Sequence, residues 1–530
     1  MKSIGIAVIG VAAVLAQQGN SISAVHIREH DRFLASDLLE GRGVGTRGGD
    51  LATEYIATQF ALGGAQPAGP NGSYFQPVPL VAVDPQPGSE LTSSANGKTV
   101  SFKSLDDFVG LDETQQPNTQ FDGEAIFVGH GIAAPEWQWD DYKGVDVRGK
   151  VVVLFTNEPT STDPQFFEGR ALTYYGRWSY KYEEATRRGA VAAIIIHTTP
   201  TAGYGWDVVR SSWGRQNSYV AVRPGEHALS LAGWATRDAS QKLLSLAGKN
   251  VDELLAASES RDFRPIPLGI RIHGNIASKV RTLNSRNVAA VVPGSDPKLK
   301  DEVVIFSAHW DHLGVGEAIS GDSIYNGAID NATGCAIILE LARVWAALPQ
   351  KPRRSALFLS VTGEEDGLRG SQYYAGHPIF PAAKTAIDLN YDAIFPWGRA
   401  KDVVINGAER TSVYPVAQAI ARRLNLTISP ESEPEQGHYF RSDHFSFARV
   451  GIPAFSIDHA TQFAGKPADF YKKSWEEFNE KHYHQPSDEF HTDWDFTALE
   501  QAAQFGFLLG IDIANQEKLA DWRPGDQFHR

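Results

Sequence analysis

With 530 residues, 42% of them hydrophobic and 21% charged, the chain is too long for a single core and has an ordinary globular composition, which excludes a disordered or membrane-embedded protein. Its formal charge of −14 argues against a nucleic-acid partner, because neutralising phosphates calls for a basic surface. Cys335 is the only cysteine, so no intramolecular disulfide forms and the fold must rest on its core or on metals.

The chain opens on Met1-Lys2-Ser3, followed by the apolar run Ile4 to Ala16 and then polar Gln17-Gln18-Gly19-Asn20. A cation, a short apolar region and the small-residue end Val14-Leu15-Ala16 predict a secretory signal peptide over residues 1–20, and hence an exported protein, periplasmic or extracellular. A buried N-terminal helix or a membrane anchor is the alternative. Export without disulfides fits a bacterial periplasm or medium.

From His26 to Phe60 the apolar spacing is helical, interrupted by the glycine-rich loop Glu40 to Asp50. That loop follows a helix and lacks a Gly-Lys-Ser/Thr ending, so it is no phosphate loop; Asp50 is placed to cap the second helix. Ser73 to Val81 is extended, with Pro77 and Pro79 assigning it to a sheet edge. Residues 119–265 form a distinct module, with short strands at Ala125–Val128, Lys150–Phe155 and Ala190–His197 and a helix over Trp178–Arg188 that ends at Gly189. Its carboxylates, Lys150 and His197 are assigned to the surface and to strand ends. Beyond Leu268 apolar strands alternate with helices: strands at 287–293, 303–308, 355–361, 385–391 and 452–457, helices at 334–347 and 498–512. This order predicts a three-layer α/β domain with a mainly parallel sheet. Cys335 falls in the apolar run of the first of these helices and is assigned to the core.

The chemistry is concentrated where these strands end. Ser307-Ala308-His309-Trp310-Asp311-His312-Leu313-Gly314, Asn326-Gly327-Ala328-Ile329-Asp330-Asn331 and Thr362-Gly363-Glu364-Glu365-Asp366-Gly367 each follow an apolar strand or open a helix, and Asp392 and His484 stand at further strand ends or loops. Zinc takes imidazole nitrogen and carboxylate oxygen, and a pair of ions needs a carboxylate that touches both. Singly, Asp330-Asn331 also reads as a helix cap and Glu364-Glu365 as a solvated turn. Together they describe ligands converging on one sheet edge.

In their joint order these clusters resemble the M28 family of co-catalytic zinc aminopeptidases. Within residues 119–265, Val128-Gly129-His130-Gly131-Ile132-Ala133-Ala134-Pro135, Trp139-Asp140-Asp141-Tyr142, Val145 to Val151 and Ala185 to His197 resemble the protease-associated (PA) domain inserted in several exopeptidases. The resemblance implies a discontinuous peptidase domain over residues 25–118 and 266–515, a β-rich PA domain over 119–265 that helps restrict substrate access, and a tail over 516–530. It implies two zinc ions per chain, with His309 and Asp392 at one, Glu365 and His484 at the other, and Asp330 bridging. It makes Glu364 the general base, Asp311 the carboxylate that orients His309, and Tyr483 the phenol that steadies the developing oxyanion. His312 is passed over, since the family's first ligand is the earlier histidine. Asp443-His444 is similar to the segment lining the substrate cleft, or is a loop anchored by a capping aspartate, and is not counted among the ligands. Departures are Ile329, where the family commonly has a second Asp, and Tyr391 and Ala393 beside Asp392. The activity so implied is hydrolysis of N-terminal residues from peptides, a metal-held water giving its proton to Glu364. Peptide substrates are the expected partners, with no membrane contact once the signal is removed. A carboxypeptidase or dipeptidase of the same fold, reading a substrate carboxylate through Arg441 or Arg449, is the alternative. A non-catalytic binding protein is a further one, opposed by the complete ligand set.

Overall fold

The computed structural model describes residues 21–529, so the expected signal peptide lies outside the described residues. Among the described residues no helix is long and apolar enough to cross a membrane. Two compact units divide the chain: one comprises residues up to Pro79, Asn284–Ser432 and those from Arg441 on, the other Leu80–Leu283 and Glu433–Phe440. The second unit is larger than the expected 119–265. The hairpin Glu90–Ala95 and Lys98–Lys103 and the strand Phe108–Leu111 pair with its strands, and hydrogen-bonded ladders outweigh position along the chain.

The first unit holds the expected α/β sheet. Its strands are β1 (Ile266–Val292, of which residues 284–292 belong here), β2 (Val303–His309), β3 (Ser355–Val361), β4 (Thr385–Asn390) and β5 (Ala454–Ser456). They lie in the order β5-β4-β2-β3-β1, with the first four parallel and β1 antiparallel to β3. Every residue of β2, β3 and β4 is buried, as strands covered on both faces require. Val304, Phe306, Ala308, Ala356, Phe358 and Leu389 face one layer, while Val303, Ile305, Leu357, Leu359 and Val361 face the other.

The first layer is built by α1 (Ala24–Leu34), α2 (Arg47–Leu62), α3 (Thr333–Ala346) and a long C-terminal helix; α4 (Arg369–Gly376) and α5 (His444–Arg449) cover the opposite face. Phe306 stacks on Phe358 at 5.4 Å, and Trp345 of α3 meets Phe306 edge-on at 5.5 Å. Each such ring withdrawn from water contributes roughly 1.5–3 kcal/mol. α2 is capped by Thr46, whose hydroxyl accepts the Gly49 N–H; Asp50, the residue expected there, sits one turn in, because the helix starts at Arg47. After α6 (Phe470–Lys481) the chain reaches Tyr483 and His484, and α7 (Thr497–Asn515) closes the layer.

Gly506 of α7 lies against Tyr391, the neighbour of Asp392. A Cβ there would fall 1.8 Å from the Tyr391 hydroxyl and 2.9 Å from Ile457 Cδ1. Gly506→Ala is therefore expected to lower stability by about 1–3 kcal/mol. A denaturant midpoint equal to that of the unmodified protein would show instead that α7 shifts freely.

The second unit combines strands with helices. Its centre is a run of four parallel strands, Asn118–Phe127, Val151–Phe155, Ala192–Ile196 and Leu231–Ala235, with Phe108–Leu111 antiparallel at one side. Parallel strands need crossover connections, and Trp178–Arg187 lies in the one from Val151–Phe155 to Ala192–Ile196. Trp178–Arg187 packs Tyr182 and Ala185 on one face, and Arg237–Ser245 packs Ala239, Leu243 and Leu244 on the other. His197 directs Nε2 to the Tyr204 carbonyl at 3.0 Å, and Lys150 pairs with Glu124, both as strand-end residues.

Candidate metal centre

The register of the parallel strands brings the predicted residues together. His309, the last residue of β2, pairs with Val361, the last of β3, so the turn Thr362–Glu365 begins beside it. Ser307 pairs with Asn390 of β4, which places Asp392 two residues past the same edge. The turn before α3 delivers Asp330, whose N–H donates to Asp488 Oδ2 at 3.1 Å, while the Ile329 N–H donates to the same carboxylate at 3.0 Å. Gly327, at φ +58°, lets the chain turn there: a Cβ would fall 2.2 Å from the Asp330 carbonyl. His484 itself has φ +56°, a conformation disfavoured for side chains larger than glycine and sustained only by its surroundings. Tyr483 stacks on it at 3.9 Å.

Asp330 stands at the centre. One carboxylate oxygen lies 3.2 Å from His309 Nε2 and the other 3.4 Å from His484 Nε2. On the first side Asp392 Oδ1 is also 3.2 Å from His309 Nε2; on the second, Glu365 Oε2 is 3.0 Å from His484 Nε2. Donors held ~2.0–2.2 Å from one zinc ion in a tetrahedron lie roughly 3.3–3.6 Å apart, close to these separations, and this N/O set suits two ions sharing Asp330. The donor atoms of His309, Asp330 and Asp392 fall within 4.8 Å of one another, and those of His312, Asp330 and Glu365 do likewise. All five predicted ligands thus converge. Glu364 Oε2 stands further from His309 Nε2, at 4.0 Å.

Electrostatics follow from this crowding. Burial by itself would raise the Asp330 carboxyl, but hydrogen bonds from His309 and His484 hold it well below the usual carboxylate range. Burial would depress the His484 imidazole; Glu365 and Asp330 overcome it and push the imidazole up to about 10. His309 is likewise held above its ordinary value, burial being outweighed by Asp392 and Asp330. Burial drives the Glu364 carboxyl well up, reinforced by Asp392, Glu365 and Asp443 and opposed by His309.

Three supporting contacts refine the sequence reading. His309 Nδ1 lies 3.1 Å from the backbone carbonyl of Asp311 but 4.0 Å from its carboxylate, which instead accepts the Glu364 N–H at 3.3 Å. Asp311 thus contacts His309 through its main chain and Glu364 through its side chain. Ser442, not singled out from the sequence, donates its hydroxyl to Asp392 Oδ2 at 2.6 Å, and Asn390 Nδ2 donates to Ser442 Oγ at 2.8 Å. Asp443, beside Ser442, precedes α5 without a side-chain capping bond. Ile329 packs with Phe395 and Phe478, so the residue departing from the family's second Asp serves an apolar wall next to Asp330.

A carboxylate shared by two imidazole-containing donor sets, at the C-terminal edge of a parallel sheet, is a donor set suited to a pair of metal ions. Residues 287–505 match the sequence model of peptidase family M28. Relatives include "Probable zinc metalloprotease" of Leptosphaeria maculans, 28% identical over 37% of this chain and 48% of that one. Aminopeptidase YwaD of Bacillus subtilis is 26% identical over 38% of this chain and 39% of its own. The chain thus spans about half or less of the length of these curated relatives. Among solved structures, an aminopeptidase from Aneurinibacillus sp. strain AM-1 shares the fold, with a TM-score of 0.52, 21% identity and coverage of 93% of this chain and 95% of that one.

Proposed function

We propose that the protein is an exported di-zinc exopeptidase that releases N-terminal residues from peptides. The observation that carries this reading is Asp330, whose two oxygens face His309 and His484 separately while Glu364 stands by without joining either pair. His309 and Asp392 would hold one zinc, Glu365 and His484 the other, and Asp330 both. Bound zinc ions polarise a carbonyl and lower the pKa of water from 15.7 toward about 7.

The chain's own residues then move the proton and steady the charge. Glu364 takes the proton of the attacking water and returns it to the leaving amine. Burial and the neighbouring carboxylates raise its carboxyl, the direction that makes it a stronger base. The Tyr483 phenol, with an ordinary pKa of about 10, keeps its proton at neutral pH and donates it as a hydrogen bond to the developing oxyanion. The Asp311 side chain fixes the Glu364 backbone, and Ser442 fixes Asp392.

The test is hydrolysis of aminoacyl-nitroanilides, beside peptides blocked at either end. Cleavage is expected of free and C-terminally amidated peptides, not of N-acetylated ones, falling to background with chelator and returning with zinc. Release of C-terminal residues from N-acetylated peptides would establish a carboxypeptidase instead. Export is tested separately, by finding the mature chain outside the cytoplasm with an N-terminus near residue 20.

A further inference from the structure

His312 is not among the residues assigned to the two ions, yet it reaches one of their ligands. Its ring is fully buried, and Nδ1 lies 2.5 Å from Glu365 Oε1, on a side chain that is itself 5% exposed. An ionised carboxylate only accepts hydrogen bonds, so this contact requires the proton on Nδ1. His312 Nε2 is buried and has no hydrogen-bond partner among the described residues, which leaves the Glu365 carboxylate as the ring's hydrogen-bond partner.

The ring is also seated by its surroundings rather than placed by chance. It lies against the bare Cα of Gly327, where a Cβ would come 2.5 Å from His312 Cγ and 2.6 Å from Cδ2. Gly327 is held in turn by buried Arg42, which donates to the Gly327 carbonyl at 2.9 Å, the Asn326 carbonyl at 2.6 Å and the Trp310 carbonyl at 2.8 Å. The His312 N–H donates to the Arg42 carbonyl at 3.4 Å. One guanidinium therefore ties the end of β2 to the turn that carries Asp330, and His312 sits between them.

From this geometry we infer that His312 is a positioning residue for the second zinc. By donating Nδ1–H to Glu365 Oε1, it leaves Oε2 as the oxygen turned to His484 and the ion. Groups that fix a ligand in this way typically contribute 10–100-fold to metal affinity. The role rests on the two-ion reading above and adds to it a residue specific to one of the two positions.

The experiment measures zinc stoichiometry and both dissociation constants, by competition with a chromophoric chelator, in the full chain and in His312→Leu, His312→Ala and His312→Asn. The Asn amide nitrogen occupies nearly the place of Nδ1 and preserves the donor. His312→Leu and His312→Ala are expected to weaken one ion by 10–100-fold and leave the other unchanged, while His312→Asn holds both within about threefold of the unmodified protein. Two substitutions remove the donor, so misfolding of either one in chelator leaves the other to decide. Unchanged affinity in the folded donor-less variant would overturn the proposal. So would an equal loss in His312→Asn, since that outcome makes Nδ1 a direct ligand or the ring a packing element. If the unmodified protein takes up fewer than two ions, the two-ion reading itself falls, and this role with it.

Discussion

Glu364→Gln is expected to keep both zinc ions and to lower kcat by about 10²–10⁴-fold, the range general acid–base catalysis supplies. The amide has nearly the shape of the carboxylate but cannot accept a proton from water. Glu364 is not among the closest oxygens to either imidazole: it stands 4.0 Å from His309 Nε2, whereas Asp330 and Asp392 stand at 3.2 Å. Its loss of charge therefore leaves the ligand sets intact. It also removes one member of a crowded carboxylate group, Asp392, Glu365 and Asp443 being the neighbours that drive the Glu364 carboxyl upward. Zinc uptake should for that reason be unimpaired in the variant. Metal analysis beside steady-state kinetics decides the matter. Full activity would remove Glu364 from the chemistry, and loss of zinc would make it a ligand.

The contrast between Glu364 and its neighbour shows what the sequence could and could not convey. Adjacent carboxylates in a glycine-bounded turn after a wholly apolar strand read as having two different tasks; Glu365 lies 3.0 Å from His484 and 2.5 Å from His312, while Glu364 Oε2 lies 4.0 Å from His309 Nε2. His309 and Asp392 were legible for a similar reason, since each follows a strand whose continuous apolar run marks it as buried and parallel. His312 was passed over because the resemblance puts the ligand at the earlier histidine, and its contact with Glu365, seated at Gly327, has no signature in spacing. Ser442 lay hidden in a short loop segment whose partner, Asp392, is fifty residues away. The long strand β1 was legible only at its end: from Arg271 to Arg286 polar residues alternate with buried ones such as Ile272, Ile276 and Leu283, and the pairing of Ile266–Ala277 with other strands of the second unit, to which those residues belong, is decided by partners far along the chain. Local patterns report burial and strand ends well. Which strands pair, and which side chains meet past their ends, are set by tertiary register.

Asp330→Ala carries the second large effect and acts through metal content rather than proton transfer. Asp330 alone offers an oxygen to each imidazole, so its removal takes a donor from both ions at once and leaves His309 and His484 without the group between them. Zinc is expected to fall from two ions per chain to one or none, with activity at background. Stability supplies an independent readout. An ion that binds only the folded chain adds RT ln(1 + [L]/Kd), about 2.7 kcal/mol at a free concentration of 100 Kd. Chelator should therefore lower the Tm of the unmodified protein and leave that of Asp330→Ala nearly unmoved. The metal-free comparison fixes the sign of the remaining change. Hydrogen bonds from the two imidazoles hold the Asp330 carboxyl well below its usual range, so in the metal-free protein it contributes stability at neutral pH that is lost as pH falls through its depressed folded pKa. Asp330→Ala should accordingly be the less stable chain in chelator at pH 7, by an amount that shrinks toward acid. Retention of two zinc ions in the variant would show that Asp330 bridges nothing, and the two ligand sets would then have to be reassigned.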